Sequence, residues 1–432
     1  MEPGNIIVGQ SGGPTAVINS SLCGVIREAL EQPERIGKVY GMLHGIEGFL
    51  QDEVIDLGVM FATEEAQTRL RATPAAFLGS CRYKLPEDAN DPVYDVLFEK
   101  LERRGICAFF YIGGNDSMDT VGKLSAQAKK RGSGIRFIGI PKTIDNDLVG
   151  TDHTPGYGSA AKYIASVVRD ISMDAGVYRQ SVVTIVEIMG RHAGWLTAAS
   201  ALARMPHEPN PLLIYLPETP FDVQIFLQQL KNALKISHSV VVCVSEGILD
   251  EKGKLICEYG GEAGVDGFGH KMLAGSAKVL ERIVKEAFGI KCRSIELNLP
   301  QRCSAILASG TDLSEAEMAG RSGVRAALCG ETGKMVTLER IEEHRVHKRS
   351  EKEEIEPGFL LAYHIRYGLC DVAEVCNKEK KFPLLWITAD GSDVSEEFIH
   401  YALPLIQGEA KVHFSCGLPV YACIDRAQIN HI

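Results

Sequence analysis

The sequence predicts an α/β protein with mainly parallel sheets, and three observations carry that prediction. Short β-branched runs end repeatedly in Gly, Ser, Thr or Asp, stretches of helical apolar spacing lie between them, and 432 residues are too many for one core. The candidate strands are Asn5 to Gly9, Cys107 to Ile112, Arg136 to Ile140, Val182 to Ile188, Leu212 to Leu216 and Val240 to Val244. Between them Ser159 to Ile171, His192 to Arg204 and Asp222 to Leu234 carry apolar residues at helical spacing. A single core seldom grows past about 250 to 300 residues, so two or more lobes are expected, with a cleft between lobes as a natural ligand site.

Composition narrows the function. With 45% hydrophobic and 24% charged residues the chain reads as an ordinary soluble globular protein. Its formal net charge of −10 argues against nucleic acid as a partner, because a general positive field is missing, so any anionic substrate needs a local cluster of Arg and Lys. No apolar run approaches a membrane span, and the opening residues lack the basic and apolar regions of a signal peptide, so no membrane association and a cytoplasmic location are expected. The 12 cysteines show no metal-ligand spacing; Cys370 and Cys376 form the closest pair, and free thiols suit a reducing compartment. The charged stretch Glu339 to Glu356 reads as a solvated helix or an excursion between lobes.

In open α/β sheets ligands bind outside the carboxyl ends of the strands, so the segments that follow the strands are where chemistry is sought. After the first strand comes Gln10-Ser11-Gly12-Gly13-Pro14-Thr15 and then a helix. Gly12 and Gly13 let backbone N–H groups approach an anion, although a strand-to-helix turn uses glycine for conformational reasons alone. The strand Cys107 to Ile112 runs into Gly113-Gly114-Asn115-Asp116-Ser117, where Asp116 or Ser117 serves either chemistry or a helix cap. The third loop, Pro141-Lys142-Thr143-Ile144-Asp145-Asn146-Asp147, puts a cation, a hydroxyl and two carboxylates within six residues, enough to bind an anion, hold a metal and accept a proton. A turn rich in Asp and Asn is its plainer reading, but three such loops at successive strand ends are hard to explain as turns alone.

Gly-Gly-x-x-Ser, then Pro-x-Thr-Ile-Asp-Asn-Asp, then Met189-Gly190-Arg191 resembles the phosphofructokinase family, and Phe77-Leu78-Gly79-Ser80-Cys81-Arg82, Ser245-Glu246-Gly247 and Pro300-Gln301-Arg302 follow in family order. The resemblance covers roughly residues 5 to 330. It implies two doubly wound three-layer lobes: a phosphoryl-donor lobe of 1–157 plus about 301–365, and a sugar-phosphate lobe of 158–300 plus about 366–432. By resemblance Asp145 is the general base for the C1 hydroxyl of fructose 6-phosphate, Thr143 holds the transferring phosphoryl, and Asp147, with Asp116, binds Mg2+. Arg82 stands by the donor phosphates. Met189, Gly190 and Arg191 hold the sugar phosphate, Glu246 accepts from sugar hydroxyls, and Arg302 pairs with the 6-phosphate. Arg293 matches a position that reaches into a neighbouring subunit's site, which implies a homo-oligomer, dimer or tetramer.

ATP-dependent members of that family have glycine where this chain has Asp116 and Lys142. An aspartate there crowds and repels the α-phosphate of a nucleotide, and the lysine offers a cation to a shorter donor, so the resemblance implies the pyrophosphate-dependent branch and a reaction usable in both directions. An ATP-dependent enzyme, or a non-catalytic subunit that binds sugar phosphates, is the alternative. The sequence departs from the family at Asn115, where a second metal-binding aspartate is more usual, at Leu299, where ATP-using relatives carry a histidine, and at Val182, which aligns with a trans-acting arginine. Lys162, Arg179 and His192 are candidates to complete the 6-phosphate contact. A glycine-rich run from Gly260 to His270, ahead of an expected helix Lys271 to Phe288, reads as a lid near the sugar or as a surface loop.

Overall fold

The computed structural model describes residues 3–177, 179–260, 275–342 and 363–424. Among the described residues eleven strands build two sheets: β1 (Gly4–Gln10), β2 (Ile36–Met42), β3 (Val54–Asp56), β4 (Ile106–Gly113), β5 (Arg136–Pro141), β6 (Val182–Ile188), β7 (Leu213–Tyr215), β8 (Ser239–Ser245), β9 (Lys291–Glu296), β10 (Lys334–Glu342) and β11 (Tyr363–Asp371). The first sheet runs β11-β10-β5-β4-β1-β2-β3 and the second β7-β8-β6-β9. The second is parallel throughout, whereas the first is parallel except at its two edges, where β3 and β11 pair antiparallel with their neighbours. The expected α/β class and the mainly parallel, two-sheet architecture are therefore observed.

Alternation along the strands sends side chains to two cores per sheet, which makes each sheet the middle of three layers. Ile6 and Val8 of β1 join Phe110 and Ile112 of β4 in a core covered by the helices Ile18–Leu30 and Gly310–Leu328. Ile7, Phe109 and Tyr111 face the opposite way, toward the helices Pro92–Arg103 and Asn115–Arg131. In the second sheet Val186 and Ile188 pack under the helix Tyr157–Ala175, while Val183 and Ile185 pack against Val223–Ile236 and Ser276–Phe288. The helices leave β1 on one face and β4 on the other, so the adjacent pair β1 and β4 forms the switch point at which such sheets bind ligands.

Five strands of these two sheets, and the two-residue strands Phe414–Ser415 and Leu418–Pro419 that pair with each other, lay outside the sequence reading. Two of them show why: β2 carries two glycines and a lysine, and β9 is a polar edge strand with little buried surface. The expected helix His192 to Arg204 shrinks to a turn at Trp195–Ala198 that continues as a 3-10 helix through Ala203. Its start is delayed because the Gly194 N–H donates to Glu218 Oε1 at 2.8 Å, which holds 189–194 as a loop. The helix expected from Lys271 is described from Ser276; the glycine-rich run 261–270 and most of the charged stretch, 343–356, lie outside the described residues.

The C-terminal part is shared between the two sheets rather than given wholly to one. β11 extends the first sheet to Asp371, beyond the boundary expected at about residue 365, because its backbone pairs with β10 along nine residues. Phe382, Phe398 and Leu405 then pack into the second sheet's core, and Ala422 and Ile424 return to the first. Among the described residues no helix is long and apolar enough to cross a membrane.

Candidate active site

Sheet order puts β5, β4 and β1 side by side, so the three loops anticipated from sequence emerge together. Ladder pairing continues into them: the Lys142 N–H donates to Gly113 O and the Ser11 N–H to Ile112 O, each at 3.0 Å. Lys142 is buried, 2% exposed, and its Nζ donates to Gly13 O at 2.5 Å. Gly12 adopts φ +76, a conformation that disfavours side chains, and a Cβ there would stand 3.4 Å from that ammonium. Burial pulls Lys142 down to about 8, Asp145 and Asp147 resist that fall, and Arg302 and Arg82 reinforce it. Three cations thus meet beside one glycine loop, and an Arg302 nitrogen lies 3.6 Å from the position of a Cβ on Gly13.

Immediately after Lys142, the Thr143 hydroxyl accepts from the Asp145 N–H at 3.1 Å and acts to lower the Asp147 carboxyl. Burial holds Asp145 well above the usual carboxylate range, with Asp147 and Glu246 adding to the effect and Lys142 and Arg191 opposing it. Asp147 is also raised, again by burial and then by Glu379. A carboxyl poised this way, between like charges and recessed from water, has the character of a general base.

The second sheet supplies the facing wall. β6 and β8 end side by side at Ile188 and Ser245, and the Glu246 N–H donates to Ile188 O at 2.9 Å. Glu246 Oε1 accepts from the Gly190 N–H at 3.4 Å, and the Ser245 hydroxyl donates to Gly190 O at 2.5 Å. Gly190 has φ +130, and a Cβ would fall 2.7 Å from Ala193 O, so the sharp bend after β6 requires glycine. The Met189 N–H donates to Gln301 Oε1 at 3.1 Å, which ties this loop to the short helix Pro300–Cys303 that carries Arg302. Arg191 and Glu246 both act electrostatically on Asp145, so the ends of the two sheets share one cleft.

The expected residues Gly12, Gly13, Arg82, Lys142, Thr143, Asp145, Asp147, Met189, Gly190, Arg191, Glu246 and Arg302 accordingly gather at these strand ends. Two others stand apart. Asp116 lies at the rim, in the first turn of Asn115–Arg131, with a side chain 73% exposed and 3.2 Å from Lys84. Arg293 sits mid-strand in β9 opposite Thr184 and pairs with Asp174 at 3.3 Å on the surface. Lys162 is engaged with Gly408 O and Glu409, Arg179 is exposed, and the His192 carbonyl accepts from Lys381.

Sequence reasoning missed the segment Glu379–Phe382. Lys380 donates its backbone N–H to Asp147 O at 2.7 Å and its ammonium to Asp152 O at 2.7 Å, while Lys381 reaches His192 O at 2.6 Å, so the segment touches both walls. Lys378-Glu379-Lys380-Lys381 reads in sequence as a solvated run, and nothing local in it signals this location.

An α/β fold with glycine loops, buried cations and a recessed carboxylate at the switch point defines a phosphoryl-transfer type of site. A profile of the phosphofructokinase family matches residues 5–296, and the chain belongs to that family. It is 39% identical to a pyrophosphate–fructose 6-phosphate 1-phosphotransferase of Methylococcus capsulatus over 97% of this chain and 96% of the relative. An enzyme of the same name from Halomonas elongata is 38% identical over 99% of this chain and 97% of its own. The crystal structure of a pyrophosphate-dependent phosphofructokinase from Nitrosospira multiformis superposes with a TM-score of 0.84 at 36% identity, covering 97% of this chain and 96% of that one.

Proposed function

We propose that the protein transfers a phosphoryl group from pyrophosphate to the C1 hydroxyl of fructose 6-phosphate, giving fructose 1,6-bisphosphate and phosphate. The observation that carries this reading is the buried Lys142 ammonium held against Gly13, with Arg82 and Arg302 acting on it, while Asp116 stands exposed in the first turn of the helix that follows β4. Such a pocket suits a short polyanion, and the aspartate disfavours a longer donor whose α-phosphate would meet a like charge. The near full-length relatives that carry a pyrophosphate-dependent name support the same choice.

In this reading the seven-stranded lobe binds the donor and the four-stranded lobe binds the sugar phosphate. Asp145 takes the proton of the C1 hydroxyl as that oxygen bonds to the terminal phosphorus and the P–O bond to the departing phosphate breaks. Lys142, Thr143 and Arg82 offset charge on the oxygens of the transferring group. Met189, Gly190, Arg191 and Glu246 orient the sugar phosphate, and Arg302, on the short helix tied to the Met189 loop through Gln301, pairs with the 6-phosphate. The chemistry is close to balanced, so both directions are open.

A divalent cation fits the donor set. Among the described residues no three His, Cys, Asp or Glu side chains converge as ligands, but Mg2+ at phosphoryl-transfer sites uses one or two carboxylates with phosphate oxygens and water. The Asn115 Oδ1 is buried with no partner among the described residues, an oxygen at the helix start next to Asp116. Asp147, with Asn115 or Asp116, would hold Mg2+, which supplies charge neutralisation to the bound phosphates. Arg293, surface-placed and remote from its own cleft, supports a homo-oligomer in which it serves a neighbour, in a cytoplasmic enzyme.

The test is product formation from fructose 6-phosphate and Mg2+ with pyrophosphate or ATP at matched concentration, in the wild type and in the Asp116→Gly/Lys142→Gly pair. Turnover with pyrophosphate alone, reduced in the pair, is expected. Turnover of the wild type with ATP would overturn the choice of donor.

A further inference from the structure

Asn146 lies between the two carboxylates of the catalytic turn, with φ +53 and no exposed surface. A left-handed asparagine persists where its side chain is engaged, and this one is engaged from three directions. Its Nδ2 donates to Tyr401 Oη at 2.9 Å, and its Oδ1 accepts from the Thr154 N–H at 3.1 Å and from Lys380 Nζ at 3.4 Å. Tyr401 Oη in turn donates to Asp152 O at 2.8 Å, the carbonyl that also receives Lys380 Nζ at 2.7 Å. The Lys380 backbone N–H meets Asp147 O, and its ammonium lies 5.0 Å from the centre of the Trp195 ring.

Both Lys380 and Tyr401 lie C-terminal to the residues matched by the family profile, which ends at 296. Burying a lysine ammonium costs free energy unless acceptors satisfy it, and here carbonyl and amide oxygens do so. Among the described residues, every hydrogen bond its ammonium makes goes to the stretch 146–152.

We propose that Lys380 and Tyr401 are positioning residues for the catalytic turn: they hold Asn146 and so fix the peptide planes from which Asp145 and Asp147 project. The inference rests on the reading of Asp145 as general base. Neither side chain takes part in bond making; both set the distance and angle at which the carboxylates meet substrate, and a displacement of about 1 Å there lowers turnover roughly 100-fold.

The experiment compares Lys380→Met, Lys380→Arg and Tyr401→Phe in the full chain by steady-state kinetics and by hydrogen exchange of the 143–154 peptide. Lys380→Met is expected to lower kcat roughly 10- to 100-fold with both KM values within about threefold, Lys380→Arg to regain most of that loss, and Tyr401→Phe to lower kcat about 3- to 10-fold. Exchange of 143–154 should quicken in Lys380→Met and Tyr401→Phe while that of Ile106–Gly113 stays unchanged. Should Lys380→Met fail to fold, Tyr401→Phe decides by the same two measurements. A kcat within twofold of wild type in both variants, or exchange that quickens equally in Ile106–Gly113, would overturn the proposal. A wild type inactive with pyrophosphate would overturn the proposed function instead, and the exchange comparison would still decide this one.

Discussion

The two walls of the cleft solve different problems. The seven-stranded wall buries charge: Lys142 is sunk against Gly13, and Arg82 and Arg302 share its field. The four-stranded wall offers direction instead, with the Gly190 N–H, the Met189 N–H and a Glu246 carboxylate fixed by hydrogen bonds between adjacent strand ends. A polyanion is attracted by charge that water no longer screens, whereas a sugar is read by hydroxyl geometry. Asp145 sits where the two meet, which explains why both walls contribute to its perturbed carboxyl.

The largest effect should follow from breaking that meeting point. Asp145→Asn is expected to lower kcat by about 100- to 10,000-fold while fructose 6-phosphate binding, measured by calorimetry, stays within a few-fold of wild type. Turnover within tenfold of wild type would remove Asp145 as the base.

Next comes the charged wall alone. Burial pulls Lys142 down to about 8, so it is charged below that pH and loses its proton as pH rises past it. The kcat/KM for pyrophosphate should therefore fall above about pH 8. Bound pyrophosphate restores the proton through its own charge, so kcat/KM for fructose 6-phosphate at saturating pyrophosphate should not share the fall. Identical profiles for the two substrates would contradict the assignment of Lys142 to the donor.

The directional wall should give a smaller and opposite split. Glu246→Gln removes a charged acceptor worth about 1.5 to 3 kcal/mol, so KM for fructose 6-phosphate should rise on the order of 10- to 100-fold with KM for pyrophosphate unchanged. A change in the pyrophosphate KM instead would mean that the two walls do not divide the substrates.

The walls also differ from their supports in how much of them can be read from sequence. Lys142, Thr143, Asp145 and Asp147 stand within six residues at the end of a buried strand, so period, turn and chemistry coincide in one window. The paired strand ends of Met189-Gly190-Arg191 and Ser245-Glu246-Gly247 are likewise short and local. The supports are long-range: Asn146 contacts Tyr401 across 255 residues and Lys380 across 234. Lys380 belongs to a run of charges, and only the path of the chain after β11 brings it to the turn. Strand β10 and the edge strand β11 escaped for a related reason, because β10 joins the sheet by pairing with β5, far back in the chain, and β11 joins only through β10.

One support offers a measurable stability term beneath the charged wall. His153 is 1% exposed, with Nδ1 at 2.8 Å from Asp152 and Nε2 at 2.7 Å from Glu315, whose other oxygen accepts from the Tyr363 hydroxyl at 2.7 Å. Burial opposes its charge, yet Glu315 and Asp152 prevail and push it up to about 9. A histidine raised above its unfolded value of about 6.5 stabilises the fold fully below that pH, and the contribution is lost as pH rises through about 9. The shift corresponds to roughly 3 kcal/mol at most. Urea unfolding at pH 6 and at pH 9.5 should show wild type losing up to that amount more than His153→Gln, which has no such proton to release. Parallel losses in the two proteins would mean that His153 is not charged in the fold, and that Asp152, whose carbonyl receives both Lys380 and Tyr401, is held without it.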